Sequence, residues 1–89
     1  MRAPGFFMFW VYILQSQSNS RYYCGHTDDL DRRLRQHNDP AYPFTRTTKV
    51  IPGPWTIIWQ QSASSRSDAM CLEKRIKKRG IRRFLDELA

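Results

Sequence analysis

The chain begins with an unbroken run of apolar and aromatic residues, FFMFWVYIL at positions 6–14. Such a run is strongly β-prone and predicts a buried strand. A second, shorter β-prone block, RYYCGH, follows at 21–26, and the six polar residues at 15–20 suit the loop of a hairpin. These two blocks therefore predict a hairpin of two antiparallel strands.

The same run is too short to cross a membrane, because a spanning helix needs about 20 apolar residues. The polar string QSQSNS that follows it also lacks the small-residue pattern of a signal-peptide cleavage site. We therefore expect a cytoplasmic protein with no membrane partner.

A helical pattern replaces the β pattern after the hairpin. Thr27 or Asp28 can cap a helix whose inward face carries Leu30 and Leu34. Residues 38–54 contain four prolines and one glycine, so we predict a long loop there. A loop of that length in a small domain is usually functional or mobile.

The last third of the chain predicts one more strand and two helices. The string WTIIWQ at 55–60 restarts β character. Ser65 followed by Asp68 resembles a capping box, and Gly80 is placed to end the helix that it opens. An apolar stripe at helical spacing over 81–88 predicts a short terminal helix. With 89 residues there is room for one core only, so residues 1–89 form a single domain. We predict an α+β fold, a three-stranded antiparallel sheet flanked by helices in the order β-β-α-β-α-α.

The charge is strongly unbalanced, with 15 Lys or Arg against 8 Asp or Glu and a formal net charge of +7. This imbalance favours a polyanionic partner, and nucleic acid is the commonest one. A solvated basic helix without a partner is the alternative.

Five residues could carry chemistry. Tyr12 and Tyr23 lie on neighbouring strands of the predicted hairpin. Arg33 and His37 are four apart on one helix, so they project from nearly the same face. Glu73 lies within the apolar stripe of the second long helix, where a buried carboxylate needs a compensating partner, either a cation ligand or an ion pair. Taken singly, each has an ordinary structural explanation as packing, exposed surface or salt bridge.

Their order along the chain resembles that of the GIY-YIG nuclease family. The strings VYI at 11–13 and YCG at 23–25 resemble its two signature motifs, with the tyrosines eleven residues apart. LDRRLRQHN at 30–38 looks like the first-helix motif of that family, and the helix glutamate matches Glu73 in SDAMCLEKRIKK. The resemblance covers about residues 9–88. It is closest to the small single-domain bacterial members and more distant to the Slx1-type structure-specific nucleases.

This resemblance implies a metal-dependent endonuclease that hydrolyses phosphodiester bonds. One Mg²⁺, for which Mn²⁺ can substitute, would be held by Glu73 with water and phosphate completing its shell. Arg33 would grip the non-bridging phosphate oxygens through its planar fork. Tyr12 would act as the general base for the attacking water, with His37 as a proton relay, and Tyr23 would orient the water or the phosphate.

We expect the partner to be nucleic acid, most directly DNA, contacted along its backbone on both sides of the site. The candidate contacts on one side are Arg32, Arg35, Arg46 and Lys49. Those on the other side are Lys74, Lys77, Lys78 and Arg82. Backbone contacts give affinity but little sequence reading, so we expect structure-directed or weakly specific cleavage, as in DNA repair or recombination.

Two other readings stay open. Many family members carry an asparagine late in the domain, and no residue after Asn38 is Asn. This difference favours a catalytically weak or inactive nucleic-acid-binding module. The second alternative is a subunit that needs a protein partner or a homodimer for activity. Its interface could then include the aromatic start of the chain, Phe6, Phe7, Phe9 and Trp10, although packing of a buried strand explains these residues more simply.

Overall fold

The structure is a computed structural model that describes residues 8–88, with only the backbone at positions 46 and 47. Its elements are β1 (Phe9–Ser16), β2 (Tyr22–Thr27), α1 (Leu30–Asn38), α2 (Arg46–Val50), β3 (Trp55–Ala63), α3 (Arg66–Arg79) and α4 (Ile81–Leu88). The predicted architecture is confirmed, with the short helix α2 added inside the predicted loop. Positions 6 and 7, which were predicted to open the first strand, lie outside the described residues.

The three strands form one antiparallel sheet in the order β2-β1-β3. Tyr12 in the central strand lies opposite Gly25 on one side and Gln60 on the other. The side chains from Val11 to Leu14 are all buried, because helices cover both faces of the sheet. This explains why the first strand reads as a continuous apolar run instead of alternating with polar residues.

The alternation of side chains along β1 divides the core into two parts. On one face, Val11 and Ile13 pack with Ala69 and Ile76 of α3. On the other face, Tyr12 and Leu14 pack with the α1 side of the domain. The tyrosine motifs therefore face α1, whereas the predicted metal ligand of α3 lies on the opposite side of the sheet.

Both long helices begin at polar capping residues. Ser65 caps α3, where its hydroxyl accepts a 3.0 Å hydrogen bond from the backbone N–H of Asp68, as predicted. The cap of α1 is Asp29, so the prediction of Thr27 or Asp28 was wrong. Thr27 is unavailable because it ends β2, and its hydroxyl accepts a 3.1 Å bond from the N–H of Asp29.

Helix α2 is the main local difference from the prediction. Its five residues carry no strong helical pattern, but they dock on the end of α1. Lys49 Nζ donates to the carbonyl oxygens of Gln36 and His37 at 2.8 and 2.9 Å. These are carbonyls that the end of a helix leaves without an intrahelical partner. None of the helices over 8–88 is long and apolar enough to span a bilayer.

Candidate active site

The structure brings together the four residues predicted to act on the substrate. The Tyr12 hydroxyl is 2.8 Å from His37 Nε2, and each of these side chains is only 1% exposed. The Tyr23 ring centroid lies 4.8 Å from that of His37 and 6.3 Å from that of Tyr12. The Arg33 guanidinium approaches the Tyr12 hydroxyl closely enough to influence its ionisation. These side chains therefore form one cluster, which we call the tyrosine cluster.

Gly25 makes room for this cluster. A Cβ atom at this position would lie 2.6 Å from the Tyr12 hydroxyl oxygen and 3.0 Å from Tyr23 Cε2. Real Cβ atoms do not make contacts that short, and the Tyr12 ring is buried and hydrogen-bonded, so it has little freedom to move aside. The glycine of the YCG string is thus required by the close approach of a tyrosine from the neighbouring strand.

Ionisation in the cluster is governed by burial. Burial, together with the charges of Arg33 and Lys49, lowers the pKa of His37 to about 4. Burial and the neighbouring Tyr23 raise the pKa of Tyr12 well above its usual range, although Arg33 opposes the rise. At neutral pH, Tyr12 is therefore protonated and His37 is neutral and able to accept a proton.

We expect His37 to make the protein acid-sensitive. Its folded-state pKa of about 4 lies below the unfolded value of about 6.5, so between these pH values the unfolded chain binds more protons. The stabilisation is complete above pH 6.5 and falls by about 3 kcal/mol as the pH drops through that window. Urea unfolding at a series of pH values should show this loss in the wild type and in His26→Gln. In His37→Gln the free energy of unfolding should change less steeply with pH, and an unchanged pH dependence in this variant would contradict the assignment.

A cationic pocket of about 440 Å³ opens beside the cluster. Its lining consists of one acidic residue, three arginines and four other residues: Asp28, Arg32, Arg33, Arg66, His26, Thr27, Gln36 and Tyr42. The amide oxygen of Gln36 accepts a 3.0 Å hydrogen bond from Arg33 Nη1, which orients the guanidinium. Three arginines around one opening suit an anionic ligand, because a guanidinium can make two charge-assisted hydrogen bonds to phosphate.

Glu73 does not line this pocket but is connected to it through His26. Its Oε1 is 2.6 Å from Nδ1 of His26, which lines the pocket, and its Oε2 accepts a 2.7 Å bond from Lys77 Nζ. Burial disfavours the charge on Glu73, but the hydrogen bonds from Lys77 and His26 outweigh it and lower the pKa of the carboxyl. The negative charge contributes to the raised pKa of Tyr12, so the two groups are electrostatically coupled.

The donor set at Glu73 fits Mg²⁺. The carboxylate is ionised, and its side chain is 17% exposed. Over residues 8–88, no three His, Cys, Asp or Glu side chains are grouped so as to hold a metal ion. Mg²⁺ commonly keeps several waters and takes one or two carboxylates plus substrate phosphate, so a single Glu is sufficient protein ligation. The partly exposed Lys77 would have to release Oε2 for a cation to bind there.

The predicted backbone contacts next to α1 differ in their surroundings. Arg32 lines the pocket and forms an ion pair with Asp28, and Arg35 is exposed. Lys49 donates to two carbonyls of α1 and to the Thr45 hydroxyl, so a phosphate contact would require it to give up these bonds. The side chain of Arg46 lies outside the described part of the chain.

The predicted contacts on the other side lie along α3 and α4. Lys74, Lys78 and Arg82 are exposed, whereas Lys77 is bound to Glu73. A second basic pocket, of about 410 Å³, is lined by Arg75, Lys78, Arg79 and Arg83. Three of these four residues were not among the predicted contacts, because their convergence depends on how α4 folds back from α3.

Other residues at the site also had no clear signal in the sequence. Tyr42 lines the cationic pocket, but it belongs to a proline-rich segment without periodic pattern. Thr48 contacts the buried His37 from α2, which was predicted as loop. Arg66 belongs to the basic run at the end of the chain, and only the folded structure places it opposite α1 at the pocket.

Comparison with solved structures supports the fold. The solution NMR structure of a UPF0213 protein from Bacillus halodurans superposes with a TM-score of 0.53 and 27% identity, covering 91% of this chain and 82% of that one. Over a shorter region, this chain is also similar to the structure-specific endonuclease subunit SLX1 of Meyerozyma guilliermondii. The two are 48% identical over 50 residues, which is 54% of this chain but only 17% of that subunit.

Full-length relatives of similar size are also found. A UPF0213 protein of Halobacterium salinarum is 37% identical over 71 residues, which is 79% of this chain and 86% of that protein. The UPF0213 protein YazA of Bacillus subtilis is 35% identical over 78% of this chain and 66% of its own length. The family model for the GIY-YIG catalytic domain matches residues 8–82. The resemblance seen in the motifs is thereby confirmed, and the chain belongs to the GIY-YIG nuclease family.

Proposed function

We propose that this chain is a Mg²⁺-dependent endonuclease that hydrolyses phosphodiester bonds in DNA, with a preference set by DNA structure rather than sequence. The observation that carries the proposal is the 2.8 Å hydrogen bond between Tyr12 and the neutral His37, next to the arginine-lined pocket. A proton acceptor and an anion-binding surface at one place are what hydrolysis of a phosphodiester needs.

The pocket would bind the phosphate to be cleaved. Gln36 holds the Arg33 guanidinium, which lines the pocket. Among the pocket arginines, Arg33 is the one that belongs to the tyrosine cluster, through its interaction with Tyr12. Bidentate hydrogen bonds from Arg33 would neutralise the non-bridging oxygens and orient the phosphorus towards Tyr12. Arg32 and Arg66 would contact the flanking backbone.

Tyr12 would pass a proton on without becoming a full phenolate. As the water oxygen bonds to phosphorus, a water proton moves to the Tyr12 oxygen and the phenol proton moves to His37 Nε2. The bond from phosphorus to the 3′ oxygen then breaks, and the departing oxygen takes a proton from solvent water, which balances the proton that His37 later gives back to solvent. A concerted transfer is favoured because burial disfavours a phenolate at this position. A phosphate bound at Arg33 would offset one of the charges that lower the pKa of His37, making it a better acceptor.

Glu73 would hold the metal next to His26, which lines the pocket. When bound, Mg²⁺ supplies positive charge that stabilises the crowded phosphate and the departing oxygen. His26 would keep the Glu73 carboxylate directed to the pocket edge through its 2.6 Å contact. The Tyr23 ring, packed on His37, would hold the water or phosphate in line.

An aromatic pair beside the pocket favours substrates with unpaired bases. The rings of Tyr42 and Phe44 meet edge to face at 5.6 Å, and Phe44 is 76% exposed. Aromatic side chains stack with unpaired bases of any identity, whereas bases inside a duplex are already stacked. Branched, nicked or single-stranded junctions are therefore the proposed substrates, consistent with a cytoplasmic role in DNA repair or recombination.

A second candidate function is a nucleic-acid-binding module or a partner-dependent subunit. It is favoured by the engagement of both Glu73 oxygens by His26 and Lys77, which leaves the carboxylate closed to a cation in this state. One relative is named as an endonuclease subunit, so a requirement for a protein partner or for a homodimer should be tested.

The test is cleavage of a labelled panel of single-stranded, duplex, nicked, flap and four-way-junction DNA, with one single-stranded RNA. We expect cutting with Mg²⁺ or Mn²⁺, none with EDTA, and the fastest cutting where unpaired bases adjoin a duplex. Binding that weakens with salt but gives no cutting on any substrate would instead support the binding module or a missing partner.

The same set of DNA substrates tests whether the Tyr42–Phe44 pair contributes to substrate preference. Phe44→Ala should reduce the difference between flap and duplex DNA, because it removes the exposed stacking surface. Val50→Ala is the matched control, since Val50 is also 76% exposed and belongs to no part of the proposed site. An unchanged flap preference in Phe44→Ala would remove the aromatic pair from the substrate assignment.

A further inference from the structure

Thr48 lies on α2, behind the Tyr12–His37 pair, and is only 5% exposed. We propose that Thr48 is a positioning residue that fixes the tautomer of His37, so that Nε2 is the unprotonated nitrogen facing Tyr12. This inference rests on the proposed function for its catalytic consequence, but the tautomer itself is a property of the free protein.

The hydrogen bonds at one end of the imidazole determine where its proton lies. The Thr48 hydroxyl oxygen is 2.9 Å from His37 Nδ1. A hydroxyl has one proton, and Thr48 donates it to the Thr45 carbonyl oxygen at 3.0 Å. With that proton used on the carbonyl, the hydroxyl accepts from His37, which places the imidazole hydrogen on Nδ1.

The other end of the ring accommodates this tautomer but does not impose it. The Tyr12 hydroxyl lies 2.8 Å from Nε2 and interacts with the guanidinium of Arg33, which can only donate. A phenol can either donate to an imidazole nitrogen or accept from it, so Tyr12 can follow the tautomer that Thr48 sets. With the single proton of the neutral imidazole on Nδ1, the phenol donates to Nε2.

The contacts around Thr48 hold it firmly in place. Lys49 Nζ ties α2 to the end of α1 through the Gln36 and His37 carbonyls, and it also donates to the Thr45 hydroxyl at 2.6 Å. The Trp55 indole N–H donates to the Thr48 carbonyl at 3.3 Å. Helix α2 is therefore anchored on both sides, and Thr48 cannot readily turn away from the imidazole.

The opposite tautomer would block the proton transfer. A hydrogen on Nε2 would face the Tyr12 hydroxyl, and His37 would have no lone pair there to receive the phenol proton. The Thr48 hydroxyl bonds to His37 and to the Thr45 carbonyl, neither of which lines the cationic pocket, so its proposed effect runs through His37. Its role parallels the general rule that the hydrogen bond at one imidazole nitrogen sets the protonation of the other.

The tautomer is measured directly by long-range ¹H–¹⁵N NMR correlation of the ¹⁵N-labelled full chain at pH 7, without DNA or metal. In wild type and in Thr48→Ser, which keeps the hydroxyl, we expect a protonated Nδ1 and an unprotonated Nε2 at His37. In Thr48→Val, which keeps the shape without the acceptor, the proton should move partly or fully to Nε2. A wild-type proton on Nε2, or an unchanged tautomer in Thr48→Val, would overturn the proposal.

Cleavage rates then test the consequence. We expect the cleavage rate of Thr48→Val to fall at least about tenfold, because the wrong tautomer cannot act as the acceptor. The rate of Thr48→Ser should stay close to that of the wild type. Equal rates for the two variants despite a changed tautomer would also overturn the positioning role. Should Thr48→Val fail to fold, the wild-type and Thr48→Ser spectra still decide the tautomer. Should the tautomer be found as expected while the wild type cuts nothing, the proposed function fails and the assignment of Thr48 stands.

Discussion

Replacing Glu73 with Gln is expected to abolish cleavage while leaving nucleic-acid binding intact. Gln keeps the size of the side chain but loses the charge that would hold the metal ion. Stabilisation of transition-state charge by a metal ion contributes several kcal/mol, so the rate should fall at least about a thousandfold. Single-turnover cleavage of a flap substrate with Mg²⁺, together with fluorescence anisotropy for binding, separates the two effects.

The matched control for this change is Glu87→Gln. Glu87 of α4 also pairs with a basic side chain, Arg79 of α3, and the substitution alters the net charge equally. It is half exposed and belongs to no part of the proposed site, so cleavage should stay near the wild-type rate. The Glu73→Gln substitution should lower the free energy of unfolding by about 1 kcal/mol or less, since partly exposed ion pairs contribute little to stability. Equal cleavage by Glu73→Gln and Glu87→Gln would remove Glu73 from the mechanism.

Replacing Tyr12 with Phe is the second large effect that we expect. The change removes one oxygen and keeps the buried ring, so the packing on Leu14 and Trp55 is preserved. Cleavage should fall by about 10²- to 10⁴-fold, the usual contribution of a positioned acid–base group. The loss should appear in kcat with KM little changed, because in the proposed mechanism Tyr12 takes part in the proton transfer and not in the initial binding of the phosphate.

The stability of Tyr12→Phe should fall as well, by about 1–3 kcal/mol, because His37 Nε2 is left buried without a donor. Tyr22→Phe is the control, since Tyr22 packs against the opposite core with Val11 and Ile13. Tyr23→Phe should reduce the rate less than Tyr12→Phe, as it leaves the Tyr12–His37 hydrogen bond in place. The reverse order of the two tyrosine variants would transfer the acid–base role to Tyr23.

Most of the fold could be predicted from the sequence because its signals are local. The β-prone blocks, the capping pair Ser65 and Asp68, and Gly80 each report backbone preferences of a few neighbouring residues. The motif strings added the family, and with it the expectation that Tyr12, Tyr23, Arg33 and His37 would meet. The motifs did not indicate how these groups contact one another or which protons they share.

The predictions that failed were also local ones, where two weak signals competed. Thr27 and Asp28 both have the side chains of a helix cap, but Thr27 is drawn into β2 and the cap falls on Asp29. Helix α2 has little intrinsic helical preference and forms because Lys49 and Trp55 hold it against α1. Tertiary contacts of this kind override weak propensities.

The sequence by itself determined the element order and singled out the residues proposed to carry the chemistry, because periodicity and residue type are written position by position. Only the tertiary structure decided that Glu73 meets the site from the far face of the sheet through His26, and that Lys49 is turned inward. It also decided that Thr48 stands behind His37. These contacts join residues between 11 and 47 positions apart. They depend on the closing of the sheet and the docking of helices, which no short pattern encodes.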